Sequence, residues 1–568
     1  MKRLIYIAFV LLVAFAGCKD DYLSTSPSTS VGEPDLLQSP GVFDAYVGGM
    51  HSYIYSAYYD HQSRGIASMN GFLDLLGDDL VNTVNGYMTS YYRWQDHRSP
   101  TGFLPEVLWD YYYTIIERAN RVIELAGTVD GASEVQINTW LGEAHTIRAW
   151  AYHHLVQLFG KRFVKGEANA NPGVLLRLTN NFDPAPRSTV AEVYAQINDD
   201  ISKGIDYISN GLDLRVKNRI RPAIAWGIRA RIALTQDEWG AAAQFADSAI
   251  AKSDASLQSG KQLLDGFNSI SAPEWMWGYT QNAGQSFGYA SFWANYAYNF
   301  DGYPYFSNFA INRTLLDKCG PNDVRWKWFI CVDKGDWYPS DAKDLHFGGR
   351  GLLDGLPAWE ITGYQIKFYV ADTTTSMGDQ VAMRLGEMYY IKAEALARSG
   401  NEAGAKEALV TVMETRDPDY SDATVASLTG DDLIEEIMRN RRVDLYREGF
   451  RFYDLKRLRI LPKRLPSNDQ TYLAWGQAAL DENVVLVDSI NARFAKMTKK
   501  DSLVAKQFQA DTANNVLLNA RCIARANRFV NIREASYKLP QSLDDNLWEF
   551  VIPFTEIQNN PLCEQNPM

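Results

Sequence analysis

Three short segments of the chain share one pattern, and this repeat limits the fold more than any other feature of the sequence. Residues 147–152, 228–233 and 391–396 each run in the order aliphatic, basic, small, any residue, apolar. The second and third are followed, after a turn, by another alanine-rich segment, beginning near Trp239 and Ala403. Each of these segments has the composition of a helix packed against a neighbouring helix.

The repeat resembles the tetratricopeptide helix hairpin, in which small residues lie where two helices cross. Ala230, Ala242 and Ala249 are small enough for this role. The sequence therefore predicts a mainly α fold, a tetratricopeptide-like scaffold of helix pairs. The alternative is three unrelated alanine-rich helices.

The copies are unevenly spaced, which indicates that long insertions interrupt the array. We expect the helical scaffold to comprise residues 41–252 and 380–460. Between them lies an aromatic-rich, loop-rich insertion, residues 253–379. A loop-rich C-terminal region, residues 461–568, would pack on the scaffold. Within the scaffold, apolar residues at helical spacing predict amphipathic helices over residues 108–126 and 135–159.

The N-terminus has the pattern of a secretory signal peptide, residues 1–17. Lys2 and Arg3 precede a short apolar run that ends in small residues before Cys18. The run is too short for a permanent membrane span. The boundary resembles a bacterial lipobox, so Cys18 is the predicted lipidated residue, with residues 18–40 as a tether rich in Ser, Thr and Pro. Ordinary secretion, with a coincidental cysteine, is the alternative.

Charge and cysteine content exclude several classes of function. The net charge is −12, which argues against a nucleic-acid-binding surface. None of the five cysteines has CxxC spacing, so a zinc site is not expected, and we predict neither metal nor cofactor. Cys319 and Cys331 could form a disulfide in an oxidising compartment, a pairing that sequence alone leaves open.

The segment 437–458 concentrates arginines among carboxylates and apolar residues. Asp444, Glu448 and Asp454 are interleaved with the basic side chains, and Gly449 is a natural helix stop. Such a run favours bidentate arginine–carboxylate pairs on partly buried surface. An anion or phosphate site is the second interpretation.

Five motifs together resemble the SusD/RagB family of outer-membrane lipoproteins. They are residues 18–23 (CKDDYL), 143–152 (EAHTIRAWAY), 391–395 (IKAEA), 448–457 (EGFRFYDLKR) and the ending with QNP at 565–567. They are spread from end to end, so the resemblance covers essentially the whole chain. Residues 19–21 also resemble the acidic export signal that sends such lipoproteins to the cell surface.

The resemblance implies a helical fold with tetratricopeptide-like pairs and a lipid-anchored location at the outer membrane, facing the cell exterior. It implies a SusC-like TonB-dependent transporter as partner, to which a captured oligo- or polysaccharide is delivered. Characterised members mostly bind glycans, a RagB-like branch handles peptides, and the family is not catalytic. It also implies that the arginine-rich segment belongs to the scaffold, with Arg441, Arg442, Glu448, Arg451 and Asp454 holding the last helix in place.

Two aromatic-rich stretches have the composition of a sugar site, which needs flat rings together with amide, carboxylate or guanidinium groups. One is residues 77–96. The other is residues 275–309, with 14 aromatics in 35 positions. In the family, binding aromatics come from an early loop and from loops of the large insertion. The predicted ligand-binding residues are Asp78, Arg93, Trp94, Tyr289, Trp293 and Tyr296. The alternative for each ring is that it packs its own loop.

Enzymatic interpretations find little support in the sequence. It contains no HExxH or P-loop motif. His153 and His154 are adjacent, so on a helix they point to different faces. Carboxylate pairs such as Asp78 and Asp79 could serve a secreted glycoside hydrolase, which stays the least favoured alternative after a glycan-binding and a peptide-binding lipoprotein.

Overall fold

The computed structural model describes most of the scaffold and part of both the insertion and the C-terminal region. The described residues are 33–61, 63–82, 88–282, 288–300, 303, 309–316, 318–330, 346–347, 350–351, 364–464 and 539–568. The predicted signal peptide, Cys18, Cys331 and residues 465–538 of the C-terminal region lie outside them.

Helices dominate the described chain, and the strands are short. The α-helices are α1 Glu33–Leu36, α2 Pro40–Ser56, α3 Gly65–Leu75, α4 Thr89–Tyr92, α5 Phe103–Leu125, α6 Glu134–Phe159, α7 Val190–Ser209, α8 Pro222–Thr235, α9 Trp239–Lys252, α10 Phe292–Tyr296, α11 Arg313–Leu316, α12 Leu385–Arg398, α13 Glu402–Met413, α14 Asp422–Val425, α15 Gly430–Asp444, α16 Arg451–Leu458 and α17 Phe554–Asn559. The strands are β1 Leu80–Asn82, β2 Trp275–Tyr279, β3 Phe309–Ile311, β4 Phe329–Ile330, β5 His346–Phe347, β6 Arg350–Gly351, β7 Tyr364–Gln365 and β8 Gln380–Arg384.

The two long helices predicted from periodicity are present, and local capping sets where they begin. Helix α6 starts after Ser133, whose side chain and that of Gln136 form a reciprocal capping box. Helix α5 begins five residues earlier than predicted, at Phe103, because the carboxylate of Asp96 accepts a hydrogen bond from the Leu104 amide at 2.7 Å. An aspartate seven residues before the helix gives no sequence signal of this kind.

The predicted helix pairs are confirmed as packed neighbours. Helix α8 packs along α9, and α12 packs along α13. Ala230, Ala242 and Ala249 are fully buried, as close packing of the paired helices requires. The mainly α, tetratricopeptide-like scaffold is therefore the architecture of this protein.

Two small antiparallel sheets join the large insertion to the scaffold. One has the strand order β1-β3-β7-β4, which pairs Leu80 with Ile311. The other pairs β2 with β8 and brings Trp275 opposite Arg384. Both sheets place insertion residues against the scaffold.

The arginine-rich segment forms buried ion pairs, as the structural interpretation predicted. The Arg441 Nε donates to the Asp454 carboxylate at 3.1 Å, and Arg451 Nε donates to Asp78 at 2.6 Å. Gly449, between α15 and α16, has φ of +89°, a left-handed conformation that favours glycine. The run therefore turns and holds the last scaffold helices.

A second cluster of charges centres on Asp444 at the end of α15. Its carboxylate accepts hydrogen bonds from Arg384 Nη2 at 2.9 Å and Arg416 Nε at 2.7 Å. All three side chains are completely buried. Burial alone would raise the pKa of Asp444, but the charges of Arg416 and Arg384 outweigh it and hold that pKa well below its ordinary value.

The described part of the C-terminal region contacts the helical scaffold. It contains α17, and Phe550 and Ile552 are fully buried. The Asn566 amide donates to the carbonyls of Phe159, at 2.7 Å, and Phe550, at 2.6 Å. The described part of this region thus packs on α6.

Three further findings concern only the described residues. No helix among them is long and apolar enough to cross a membrane. No group of three or more His, Cys, Asp or Glu side chains among them could hold a metal ion. Cys319 is buried and forms no disulfide with any described residue, and the proposed partner Cys331 is not among them.

Candidate functional site

The surface that best fits a ligand site is formed by Tyr289, Tyr303 and His61, which we call the aromatic face. Tyr289 is 52% exposed, one of the most exposed large aromatic side chains in the described chain. Its ring centroid lies 6.3 Å from that of Tyr303, at an interplanar angle of 79°. The Tyr303 hydroxyl lies 3.0 Å from Nδ1 of His61. Two rings and an imidazole therefore share one exposed patch.

The insertion side of the aromatic face is held by the residues around α10. The carbonyl of Gly288 accepts a hydrogen bond from Ser376 Oγ. The Ser291 side chain caps α10 by accepting from the Ala294 amide at 2.9 Å. Tyr289 sits between these two anchors, so its backbone is fixed while its ring faces solvent.

The other side of the face is the loop between α2 and α3, which carries His61. An antiparallel bridge between Tyr58 and Arg64 closes this loop, and its tip is fixed by Ser63 Oγ donating to Asp60 at 2.9 Å. The His61 carbonyl accepts from the Asn295 amide at 2.9 Å, which ties the loop to α10. The site thus joins two regions more than 200 residues apart in sequence.

Gly65 lets this loop turn directly into α3. Its φ is +63°, and a Cβ at this position would lie 2.2 Å from the backbone oxygen of Tyr55. Only glycine fits both conditions. Gly65 therefore allows the loop that carries His61 to approach α10.

Chemically, the aromatic face offers what a sugar ring requires. Exposed tyrosines provide flat apolar surface with a hydroxyl at the edge, and the imidazole adds a hydrogen-bonding group. The rings contact each other edge to face, so a ligand can stack on one of them while touching the other. The Tyr289 ring also packs on Phe300, with centroids 5.7 Å apart, which supports it from below.

Trp94, the early-loop residue predicted to stack on a ligand, is instead part of the core. Its side chain is fully buried, and the indole N–H donates to the Leu76 carbonyl at 2.9 Å. Trp548 meets the ring edge to face, with centroids 5.3 Å apart. This burial contradicts the prediction for Trp94, because no face of the indole is open to a ligand.

Trp293 and Tyr296, on α10, are also buried rather than exposed. The Trp293 indole donates to the Gly378 carbonyl at 2.7 Å, and both residues are 1% exposed. The guanidinium of Arg447 lies 4.0 Å above the Tyr296 ring centroid. The prediction that these two rings contact ligand is contradicted for the same reason, since α10 turns them into the core.

The Asp78 carboxylate is paired with Arg451 of the scaffold, which contradicts its predicted role in binding. It is 2% exposed, and its carboxylate also accepts from the Lys463 amide at 2.8 Å. Burial alone would raise the pKa of Asp78, but the charges of Arg451 and Arg442 hold it below its ordinary value. Arg93 is partly buried directly after α4, and its role in binding stays a prediction.

Of the six predicted residues, the structure leaves Tyr289 on an open surface, and it adds two that sequence reasoning missed. Tyr303 lies in the aromatic-rich stretch 275–309, so the composition of that stretch indicates a binding role for its rings. His61 gave no such signal, because it reaches the site through a loop far from the insertion in sequence.

Comparison with known proteins agrees with this architecture. Residues 252–568 match the SusD family, and residues 79–234 match a family described as "Starch-binding associating with outer membrane". SusD-like protein P38 of Formosa agariphila is 22% identical over 500 residues, covering 80% of this chain and 91% of that protein.

Solved structures share the fold at low sequence identity. A SusD-like carbohydrate binding protein from Bacteroides vulgatus has a TM-score of 0.63 at 23% identity, covering 75% of this chain and 85% of its own. Surface glycan-binding protein A from Bacteroides fluxus has a TM-score of 0.58 at 17% identity, covering 93% and 99%. With more than half of its length matched by the family's sequence pattern, this chain belongs to the SusD family.

Proposed function

We propose that this protein captures an oligo- or polysaccharide at the aromatic face. The exposure of Tyr289 beside Tyr303 and His61 carries the proposal, because an exposed ring presents flat apolar surface to a ligand. The location also agrees with the expectation that binding groups come from an early loop and from the large insertion. Relatives described as carbohydrate-binding and glycan-binding support the ligand class.

The proposal extends to location and delivery. Lipidated at Cys18, the protein would be held at the outer membrane, facing the cell exterior, and would pass its ligand to a SusC-like TonB-dependent transporter. Its contribution is binding and release, with no catalytic step. The description of the matched N-terminal family as associating with the outer membrane supports this placement.

Titration calorimetry with maltoheptaose, cellohexaose, xylohexaose and mannohexaose tests the ligand class. For a probe that binds, Tyr289→Ala should weaken affinity by about 1–3 kcal/mol, the scale of an aromatic ring stacked on a nucleobase. Leu212→Ala removes a side chain of similar exposure in the turn after α7 and is the matched control, with unchanged affinity. Binding of peptides and of no glycan would favour the RagB-like alternative.

Membrane attachment is tested separately by Cys18→Ala. The variant should leave the membrane fraction, because the acyl chains that hold the protein would have no attachment point. Continued sedimentation with membranes would contradict lipidation at Cys18 without affecting the binding proposal.

A further inference from the structure

A groove of about 370 Å³ lies between α5, the segment 175–182 and α17. We call it the polar groove. Its lining includes Asp110, Glu117, Asn180, Phe182 and Asn559. It shares no residue with the aromatic face. Its size falls within the range of small-molecule sites in proteins.

The walls of the polar groove are fixed by hydrogen bonds between α5 and the segment 175–182. The Asn120 amide nitrogen donates to the Arg177 carbonyl at 2.9 Å, while its oxygen accepts from Arg148 at 2.8 Å. The Tyr113 hydroxyl donates to the Leu175 carbonyl at 2.9 Å. The segment 175–182 is therefore held at a set distance from α5.

Two groups that line the groove contribute little to the packing and hydrogen bonding of the described chain. The amide oxygen of Asn180 is buried and has no hydrogen-bond partner in the described chain. A buried polar atom left without a partner costs free energy, and a rotation of this amide toward the groove would let a ligand hydroxyl donate to it. Phe182, at the rim, is 72% exposed, more than any other aromatic side chain described. A donor-seeking amide beside an exposed ring is the pairing that a sugar recognises.

The charges that line the groove determine the kind of saccharide. Three carboxylates, Asp110, Glu117 and Glu556, face one guanidinium, Arg177. That guanidinium already donates to the carbonyls of Asn181, at 3.0 Å, and Asp183, at 2.6 Å. The excess of negative charge disfavours uronic or sulfated sugars, whereas carboxylates accept hydrogen bonds well from neutral sugar hydroxyls.

We propose that the polar groove is a second carbohydrate site, which binds a neutral oligosaccharide through Phe182, Asn180 and Glu117. A glycan long enough to reach both places gains avidity when both contacts can be made together. The second site would therefore favour long glycans over short ones.

The test uses calorimetry on the full mature chain with maltoheptaose, cellohexaose, xylohexaose and mannohexaose, and with an alginate hexamer as the anionic probe. Phe182→Ala is introduced into the wild type and into Tyr289→Ala, with Leu212→Ala as control. In the Tyr289→Ala background, residual binding of a neutral probe should weaken about fivefold or more on adding Phe182→Ala, the scale of one lost aromatic stack. Glu117→Gln, which leaves the exposed ring in place, should weaken it as well.

The outcomes separate the two sites. Weakening by Phe182→Ala but not by Tyr289→Ala would support the groove and overturn the aromatic face. Complete loss of binding in Tyr289→Ala alone, equal affinity with and without Phe182, binding of none of the neutral probes, or a preference for the alginate hexamer would each overturn the groove proposal.

Discussion

The arginine-rich segment and the aromatic face are both dense in unusual residues, yet they meet opposite environments. Around Asp444 every carboxylate has guanidinium partners within hydrogen-bond distance, and the side chains are shut off from water. On the aromatic face, Tyr289 contacts other rings at its edge and leaves half of its surface exposed. Charges interleaved with opposite charges thus pair with each other inside the fold. An aromatic ring that is not packed in the core can still contact a ligand.

The same contrast exists within the aromatic residues themselves. Trp293 and Tyr289 are four positions apart, but the indole of Trp293 fits a pocket closed by Gly378, where a Cβ would lie 2.4 Å from the ring. Residue type and density do not distinguish them. Exposure does, and exposure depends on what the rest of the chain places nearby.

The largest effect should come from the buried charge cluster. Asp444→Asn removes the carboxylate that Arg384 and Arg416 share and leaves Glu274 and Glu448 as their remaining buried counter-charges. Because the buried cluster then carries an uncompensated positive charge, the free energy of unfolding should fall by about 3–5 kcal/mol. Chemical denaturation measures this change. A loss below about 1 kcal/mol, the value of an exposed pair, would remove the distinction between the cluster and the protein surface.

Trp94 should behave as a core residue. Trp94→Ala opens a cavity among His97, Phe452 and Trp548 and should cost about 3–5 kcal/mol of stability. Trp94→Phe retains most of the packing and should bind glycan as the wild type does, although it loses the hydrogen bond to Leu76. Weakened binding in a fully folded Trp94→Phe protein would restore the stacking role that burial contradicts.

Asp74 lies beside the arginine-rich segment, and its buried carboxyl group should make the stability of the protein depend on pH. Burial raises the pKa of Asp74 from 3.8 to about 7, although the Gly449 amide donates to its carboxylate at 2.8 Å. The native state therefore holds this proton more tightly than the unfolded chain does. The stabilisation of the native state by protonated Asp74 is complete below about pH 4 and is lost as the pH rises through 7.

Asp74→Asn keeps an oxygen for the Gly449 amide but carries no charge. As the pH is raised from about 4 to 8, the free energy of unfolding of the variant should therefore increase by roughly 1–4 kcal/mol relative to that of the wild type. Thermal unfolding of both proteins at several pH values measures the difference. A difference that does not change with pH would show that Asp74 is not the titrating group.

Much of the scaffold could be predicted from sequence, because its signals are local. The repeated segments, the alanines at helix crossings and the capping box at Ser133 are all read within a few neighbouring residues. The candidate site could not be predicted in the same way. Trp94 is buried by Trp548, and Tyr303 meets His61, contacts that join segments hundreds of residues apart.

The smallest effect should come from an exposed ion pair. Lys318 and Glu435 lie 2.8 Å apart, but their side chains are 59% and 69% exposed. Lys318→Ala should change the free energy of unfolding by less than about 1 kcal/mol, since water and salt screen such pairs. Chemical denaturation of Lys318→Ala and Asp444→Asn, at low and at high salt, measures the two changes in the free energy of unfolding. Equal losses in the two variants would contradict the claim that burial makes the Asp444 pairs stronger.

The most direct test of the central claim is a crystal structure of the protein with the tightest-binding oligosaccharide of the calorimetric panel. The account predicts a sugar ring stacked on Tyr289 or Tyr303, within hydrogen-bond distance of His61, and Trp94 still buried against Trp548. A structure in which no bound sugar contacts the aromatic face, or in which a sugar is stacked on a Trp94 that has left the core, would contradict it.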